Sequence, residues 1–151
     1  MNIIHAYAAQ NEKSPLAPFS YQPRQLREHD VQIEVLFCGV CHSDLHQARN
    51  EWHNTVFPVV PGHEIVGRII ATGSATTKFK TGDIVGVGCM VDSCRSCPSC
   101  QDGLEQYCEN GFVSTYNGKD RFDGKVTFGG YASDVVVHED FVLRVPENLD
   151  L

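Results

Sequence analysis

"VVPGHEIVG", residues 59–67, sets a histidine and a glutamate side by side between a Pro-Gly turn and an apolar run. The run continues as "EIVGRIIAT", residues 64–72, whose β-branched side chains suit the pleated surface of a sheet. Gly67 inside it signals a bulge or a close backbone approach. Outward from this strand the same signal recurs. "VQIEVLF" (31–37) follows Asp30 and alternates as a half-buried strand does. "DIVGVG" (83–88) is entered by the turn "KTGD". "GGYASDVVVHED" (129–140) and "FVLRVP" (141–146) read as a late strand pair. Only "HSDLHQARN" (42–50) reads as plainly helical, with His42 or Ser43 near its start. There is no internal repeat and no low-complexity tract. Short strands separated by turns predict a mostly β chain with short helices, arranged as a barrel or sandwich.

The composition narrows the function classes. The 151 residues fit one ordinary domain with a real core, and 42% hydrophobic with 21% charged content is globular rather than disordered. A net charge of -7 argues against a nucleic-acid partner, which selects for a basic face. No apolar run approaches the roughly 20 residues of a membrane span. "MNIIHAYAAQNEK" lacks the basic start and long apolar stretch of a signal peptide, and no N-x-S/T sequon occurs. The expected setting is the cytoplasm, with neither membrane nor nucleic acid as partner. Seven cysteines in a reducing compartment point to metal rather than to a disulfide scaffold.

Four of those cysteines form C-x2-C-x2-C-x7-C in "CRSCPSCQDGLEQYC": Cys94, Cys97, Cys100 and Cys108. Four thiolates close a tetrahedral zinc site, and short spacers let successive ligands reach one ion. A structural zinc site is the favoured reading. An iron–sulfur cluster is second, because the bacterial ferredoxin run has a shorter last gap followed by proline. Free or disulfide-linked cysteines are the third reading.

A second constellation lies around His63 and Glu64. "CGVCHSDLH" (38–46) brings Cys38, Cys41, His42, Ser43, Asp44 and His46 into one short stretch. A lone histidine is usually a satisfied core or surface residue. Cysteine with histidine, however, suits a catalytic zinc that keeps one position open, and a carboxylate such as Asp44 would orient the imidazole. The C-x-x-C spacing of Cys38 and Cys41 also matches a redox dithiol, but the βαβ context of that motif is absent.

Together, "CGVCHSDLH", "PGHEIVG" and the cysteine lobe resemble the zinc-dependent medium-chain alcohol dehydrogenases. "EWHNTVFPVVPGHEIVG" followed by "GDIVGVGCMVDSCRSCPSCQDGLEQYC" resembles the cinnamyl-alcohol-dehydrogenase and broad aldehyde-reductase branch. The resemblance implies that residues 1–151 form the GroES-like β-barrel catalytic domain, with a structural zinc lobe at about 89–112. It implies Cys41 and His63 as ligands of a catalytic zinc, with Glu64 beside the metal as a transient ligand. Asp44 would hydrogen-bond His63. Ser43 would touch the alcohol oxygen and pass its proton towards solvent, with His46 at the far end of that relay. His42 would lie near the cofactor phosphates, and Trp52 and Phe57 would wall the substrate pocket. Cys94, Cys97, Cys100 and Cys108 match the structural zinc ligands. Cys38 then reads as a buried strand cysteine and Cys89 as a core one.

The family carries its nicotinamide on a second, doubly wound domain with a G-x-G-x-x-G turn. Among the 13 glycines the one G-x-G is Gly86 and Gly88, with no glycine at the third offset, and there is no P-loop. The family's third catalytic zinc ligand, a cysteine, lies beyond Leu151. The expectation is therefore the catalytic domain of a zinc alcohol dehydrogenase without its Rossmann domain. It would be inactive alone. The parent would interconvert small aldehydes and primary alcohols with NADP(H) or NAD(H), NADP(H) being implied by the branch. Some self-association, as a homo-oligomer, is expected from the exposed cleft side near Cys41 and His63. The alternatives are a stand-alone zinc-binding interaction module without dehydrogenase activity and an iron–sulfur electron carrier.

Overall fold

The computed structural model describes residues 3–151, in which short antiparallel strands carry most of the regular structure. In chain order these are β1 (Ile4–Ala8), β2 (Ala17–Tyr21) and β3 (Asp30–Cys38), then helix α1 (His42–Ala48). There follow β4 (Ile65–Thr72), β5 (Ile84–Val87), β6 (Met90–Asp92), the one-turn helix α2 (Pro98–Gln101) and β7 (Val113–Ser114). The chain finishes with β8 (Asp134–His138) and β9 (Leu143–Arg144). No helix among the described residues is long and apolar enough to cross a membrane.

The centre is a five-stranded sheet in the order β8-β3-β4-β5-β9, antiparallel throughout. Its inward face is apolar because the strands alternate: Ile65, Gly67 and Ile69 of β4 point in and Arg68 points out. They meet Val31, Ile33, Val85, Val135 and Val137 in one core cluster. Gly67 lies opposite Val35, where β3 slips register, and a Cβ there would overlap the Glu34 carbonyl oxygen. The glycine thus marks a close backbone approach beside a bulge.

Two smaller sheets flank the centre. The β1-β2 hairpin is tied to the segment leading into β8 by Tyr7 N–H to Tyr131 O (2.9 Å), and just after β1 a paired bridge joins Ala9 to Val59, ahead of β4. The β6-β7 pair carries the cysteine lobe between its strands. The expected late strand pair is corrected: β8 joins β3 and β9 joins β5, at opposite edges of the sheet. A 3-10 turn at Glu139–Phe141 carries the chain across, and Val142 seats in the core on the way. Local apolar pattern marks a strand; the free edge it meets decides its partner.

The start of β3 is pinned by charge. Asp30 is 1% exposed, paired with the Arg24 guanidinium, and accepts the Arg27 N–H at 2.8 Å. Burial pushes the Asp30 carboxyl up. The Arg24 hydrogen bond, the Arg27 N–H and both guanidinium charges outweigh it and hold the carboxyl below its ordinary value. The folded state therefore binds this proton less readily than the unfolded chain. The associated stability is complete above about pH 4, the ordinary aspartate value, and is lost as pH falls through the lower folded value. Arg24→Ala is expected to cost about 3 kcal/mol at neutral pH, since it leaves a buried carboxylate without its partner. It should also flatten the acid limb of a urea-midpoint profile below about pH 4, because the folded carboxyl is no longer held as far below its unfolded value. A variant whose profile overlays the parent's would refute the pairing.

Candidate metal centres

The cysteine lobe is built from tight turns. Cys97 caps α2 and Pro98 opens it, where a missing N–H costs nothing. A 3-10 turn at Glu105–Tyr107 delivers Cys108. Arg95 (φ 55) and Gly103 (φ 73) take left-handed turns between the ligands. The four sulfurs lie within 4.8 Å of one another, and Cys94 and Cys100 are 3.9 Å apart. Ligands at a Zn–S distance of about 2.3 Å in a tetrahedron stand roughly 3.8 Å apart, so the cluster fits a zinc ion. Backbone N–H groups already face the sulfurs: Cys97 N–H to Cys94, Cys94 N–H to Cys108 and Glu109 N–H to Cys97, at 3.3, 3.4 and 3.4 Å. Such donors favour thiolates.

The second cluster brings Cys41, His63 and Glu64 together, their ligand atoms also within 4.8 Å. Cys41 is the N-cap residue of α1 and His63 follows the left-handed Gly62 (φ 102). A Cβ at Gly62 would collide with Cys38 and Tyr131, so only glycine lets this turn pass beneath them. Gly39 N–H to Glu64 O (2.8 Å) joins the two ligand-bearing segments. Cysteine, histidine and a carboxylate form a donor set suited to zinc with an open position.

Asp44 departs from its expected bond to His63. It is 3% exposed, and its oxygens accept Cys41 N–H (2.9 Å), Gly62 N–H (2.9 Å) and the Tyr131 hydroxyl (3.0 Å). Its carboxylate clasps the Cys41 and Gly62 backbone rather than the His63 imidazole. His63 has a different neighbour: Tyr116 stacks on it, with ring centroids 5.6 Å apart and planes 11° from parallel. Burial first, then the Asp44 charge, pushes both the Tyr131 and Tyr116 phenols well above their ordinary value.

The remaining expected residues surround this pair. Ser43 Oγ lies 3.5 Å from Cys41 Sγ. His46 pairs through Nδ1 with Glu51 and has the Trp52 ring at 5.3 Å and the His42 ring at 6.2 Å. Trp52 is half exposed, whereas Phe57 packs beside Ala9, Val59 and Tyr116. Cys38 ends β3 half-buried, and burial chiefly pushes its thiol up to about 11, which leaves it protonated and inert at neutral pH. Cys89 is corrected: it is exposed, not core, because β5 stops at Val87 and the chain turns before β6. Tyr116 and Tyr131 escaped sequence reasoning. Their only signals were an aromatic beside the Asn-Gly turn "TYNG" and another after the glycine pair of "GGY".

Residues 27–147 match the alcohol dehydrogenase GroES-like domain. The chain belongs to that family. This GroES-like domain is 54% identical over 144 residues to a probable cinnamyl alcohol dehydrogenase 3 of Oryza sativa, covering 95% of this chain and 39% of that protein. It is 51% identical over 142 residues to the aldehyde reductase YahK of Escherichia coli, covering 94% and 40% respectively. Among solved structures, a Sorghum bicolor cinnamyl alcohol dehydrogenase superposes with a TM-score of 0.95 at 50% identity, over 99% of this chain and 42% of that one. A Helicobacter pylori relative, solved with NADP(H), gives 0.94 at 39% identity, over 99% and 43%. The resemblance to the cinnamyl-alcohol-dehydrogenase and aldehyde-reductase branch thus holds, as does the mostly β, GroES-like fold. The GroES-like domain spans about 40% of the length of these relatives.

Proposed function

We propose that this GroES-like domain is the zinc-holding, substrate-side half of an NADP(H)-dependent dehydrogenase that interconverts small alcohols and aldehydes. The convergence of Cys41, His63 and Glu64 beside the Ser43 hydroxyl carries this reading. Zinc held there would supply Lewis acidity towards the substrate oxygen, and a nicotinamide on a separate domain would exchange the hydride. The chain's own residues do the rest. Cys41 and His63 are first choices as permanent ligands, with Glu64 as an exchangeable one. Ser43 sits where it would take the substrate's hydroxyl proton, and the partly exposed His46 would release it to solvent. His42 lies on the same helix face for an anionic cofactor group, and Trp52 and Phe57 offer apolar walls. Cys94, Cys97, Cys100 and Cys108 hold a second, structural zinc. None of the seven cysteines is in a disulfide, which suits the cytoplasm.

The test joins this chain to the cofactor domain of the Sorghum relative at the matching boundary. NADPH-dependent reduction of cinnamaldehyde is expected from the chimera and not from the 151 residues alone. Two zincs per chain are expected by mass spectrometry. A chimera that binds one zinc and reduces nothing would favour a zinc-binding interaction module. Steady turnover by the isolated chain would also refute the division of labour.

A further inference from the structure

Two tyrosines outside the expected site meet it at different points, Tyr116 against His63 and Tyr131 at Asp44. Tyr116 lies just after β7, buried in the cluster with Ala9 and Val59. Its loop is clamped from both sides. Asn117, in the left-handed region (φ 53), accepts Val56 N–H at 2.8 Å and donates to Asn54 O at 3.1 Å. Asn117 N–H donates to Thr127 O at 3.0 Å. Tyr116 is therefore a fixed ring against which the His63 imidazole stacks, nearly parallel and offset. Tyr131 is fixed equally well: its N–H donates to Pro61 O at 3.0 Å, and Gly130 N–H donates to Gly62 O at 2.9 Å. From there its hydroxyl reaches Asp44, which holds the Cys41 and Gly62 N–H groups.

We infer that Tyr116 and Tyr131 are positioning residues that preset Cys41 and His63 for the metal, Tyr116 by fixing the imidazole plane and Tyr131 by orienting the Asp44 clasp. The inference rests on the reading of Cys41 and His63 as a catalytic metal site. The chemistry favours it. A parallel phenol face limits rotation of the imidazole without occupying either ring nitrogen. An imidazole that gains positive character on binding a cation is attracted more strongly to an electron-rich ring. Holding ligands in place before the metal arrives removes an ordering cost that would otherwise be charged against affinity, and loss of such supporting contacts typically weakens metal binding by about 10- to 100-fold.

The experiment titrates cobalt(II) and zinc into the 151-residue chain whose cysteine lobe already holds one zinc. Wild type is expected to take a second metal and to show the visible spectrum of a cobalt–thiolate centre. Tyr116→Leu should weaken the second metal about 10- to 100-fold and shift its visible bands, with the lobe zinc retained. Tyr116→Phe keeps the ring face and should restore both affinity and spectrum. Tyr131→Phe, which removes one oxygen, should weaken the second metal about 10-fold. A Tyr116→Leu chain with wild-type second-metal affinity overturns the inference alone, as does Tyr116→Phe behaving like the leucine variant. If Tyr116→Leu loses its lobe zinc through misfolding, Tyr131→Phe decides, and wild-type affinity there overturns the inference. If the wild-type chain takes no second metal, the same titrations are run on the chimera with the Sorghum cofactor domain, which supplies the ligand the family places beyond Leu151; a chimera that takes no second metal removes the catalytic-site reading and this inference together.

Discussion

Cys100→Ser is expected to cost one zinc per chain and to unfold the lobe between β6 and β7, while the five-stranded sheet stays folded. The lobe has no apolar core of its own. Its buried cluster is Cys97, Cys100 and Cys108 with Cys94 against them, whereas Leu104, Tyr107 and Phe112 are exposed. Ordering each backbone residue costs roughly 1–2 kcal/mol, and nothing apolar in the lobe offsets this. Zinc supplies the missing stabilisation, as it does in small zinc-finger domains that are unfolded without their metal. The sheet core of Val31, Ile33, Ile69 and Val85 lies elsewhere and needs no metal. Limited proteolysis should therefore cut the variant within residues 95–111, and a chelator should do the same to the parent. A Cys100→Ser protein with its full zinc content and an uncut lobe would contradict the tetrahedral assignment.

Replacing Asp44 by alanine should have the next largest effect, about 4 kcal/mol of stability together with loss of the second metal. The substitution strands a buried N–H at Gly62, a part-buried N–H at Cys41 and the part-buried Tyr131 hydroxyl. Each unsatisfied buried group costs about 1–3 kcal/mol. Asn keeps the shape but presents an amide donor where only donors face it, so Asp44→Asn should recover part of the stability at most. Urea unfolding of the two variants measures this, and a fully stable Asn variant would show that the negative charge is dispensable. Had the carboxylate served His63 alone, as the family resemblance implied, the cost would fall on metal affinity and leave the fold largely intact.

The contrast shows what a sequence carries locally and what it does not. β4 was legible because Ile65, Val66, Ile69 and Ile70 crowd β-branched side chains into one short run. β1 alternates, but its inward residues are Ile4, Ala6 and Ala8, and alanine gives a weak apolar signal. β2 carries Pro18, which masks a strand. The four lobe cysteines were legible because ligand spacing is a short-range property. Cys89 misled because it follows an apolar run that ends two residues earlier. For Asp44, the contact with the Cys41 N–H could be anticipated from a carboxylate three residues after a helix cap. Its second oxygen reaches Gly62, and that depends on where the whole chain brings the turn. Tyr116 reaches His63 by the same long-range closure.

The sheet order also has a consequence for synthesis. β3 is made early, yet its outer neighbour is β8, with Val31 opposite Val137 and Asp30 opposite His138. A ribosome-bound chain must therefore carry β3 with one unpaired edge until nearly the whole domain has emerged. Such an edge, lined by Val31 and Ile33, is a template for another chain. Long-range pairing also closes slowly. The interval between making β3 and making β8 is when this protein most depends on a chaperone or on dilution, and slowing translation between them should raise its aggregation rather than its yield.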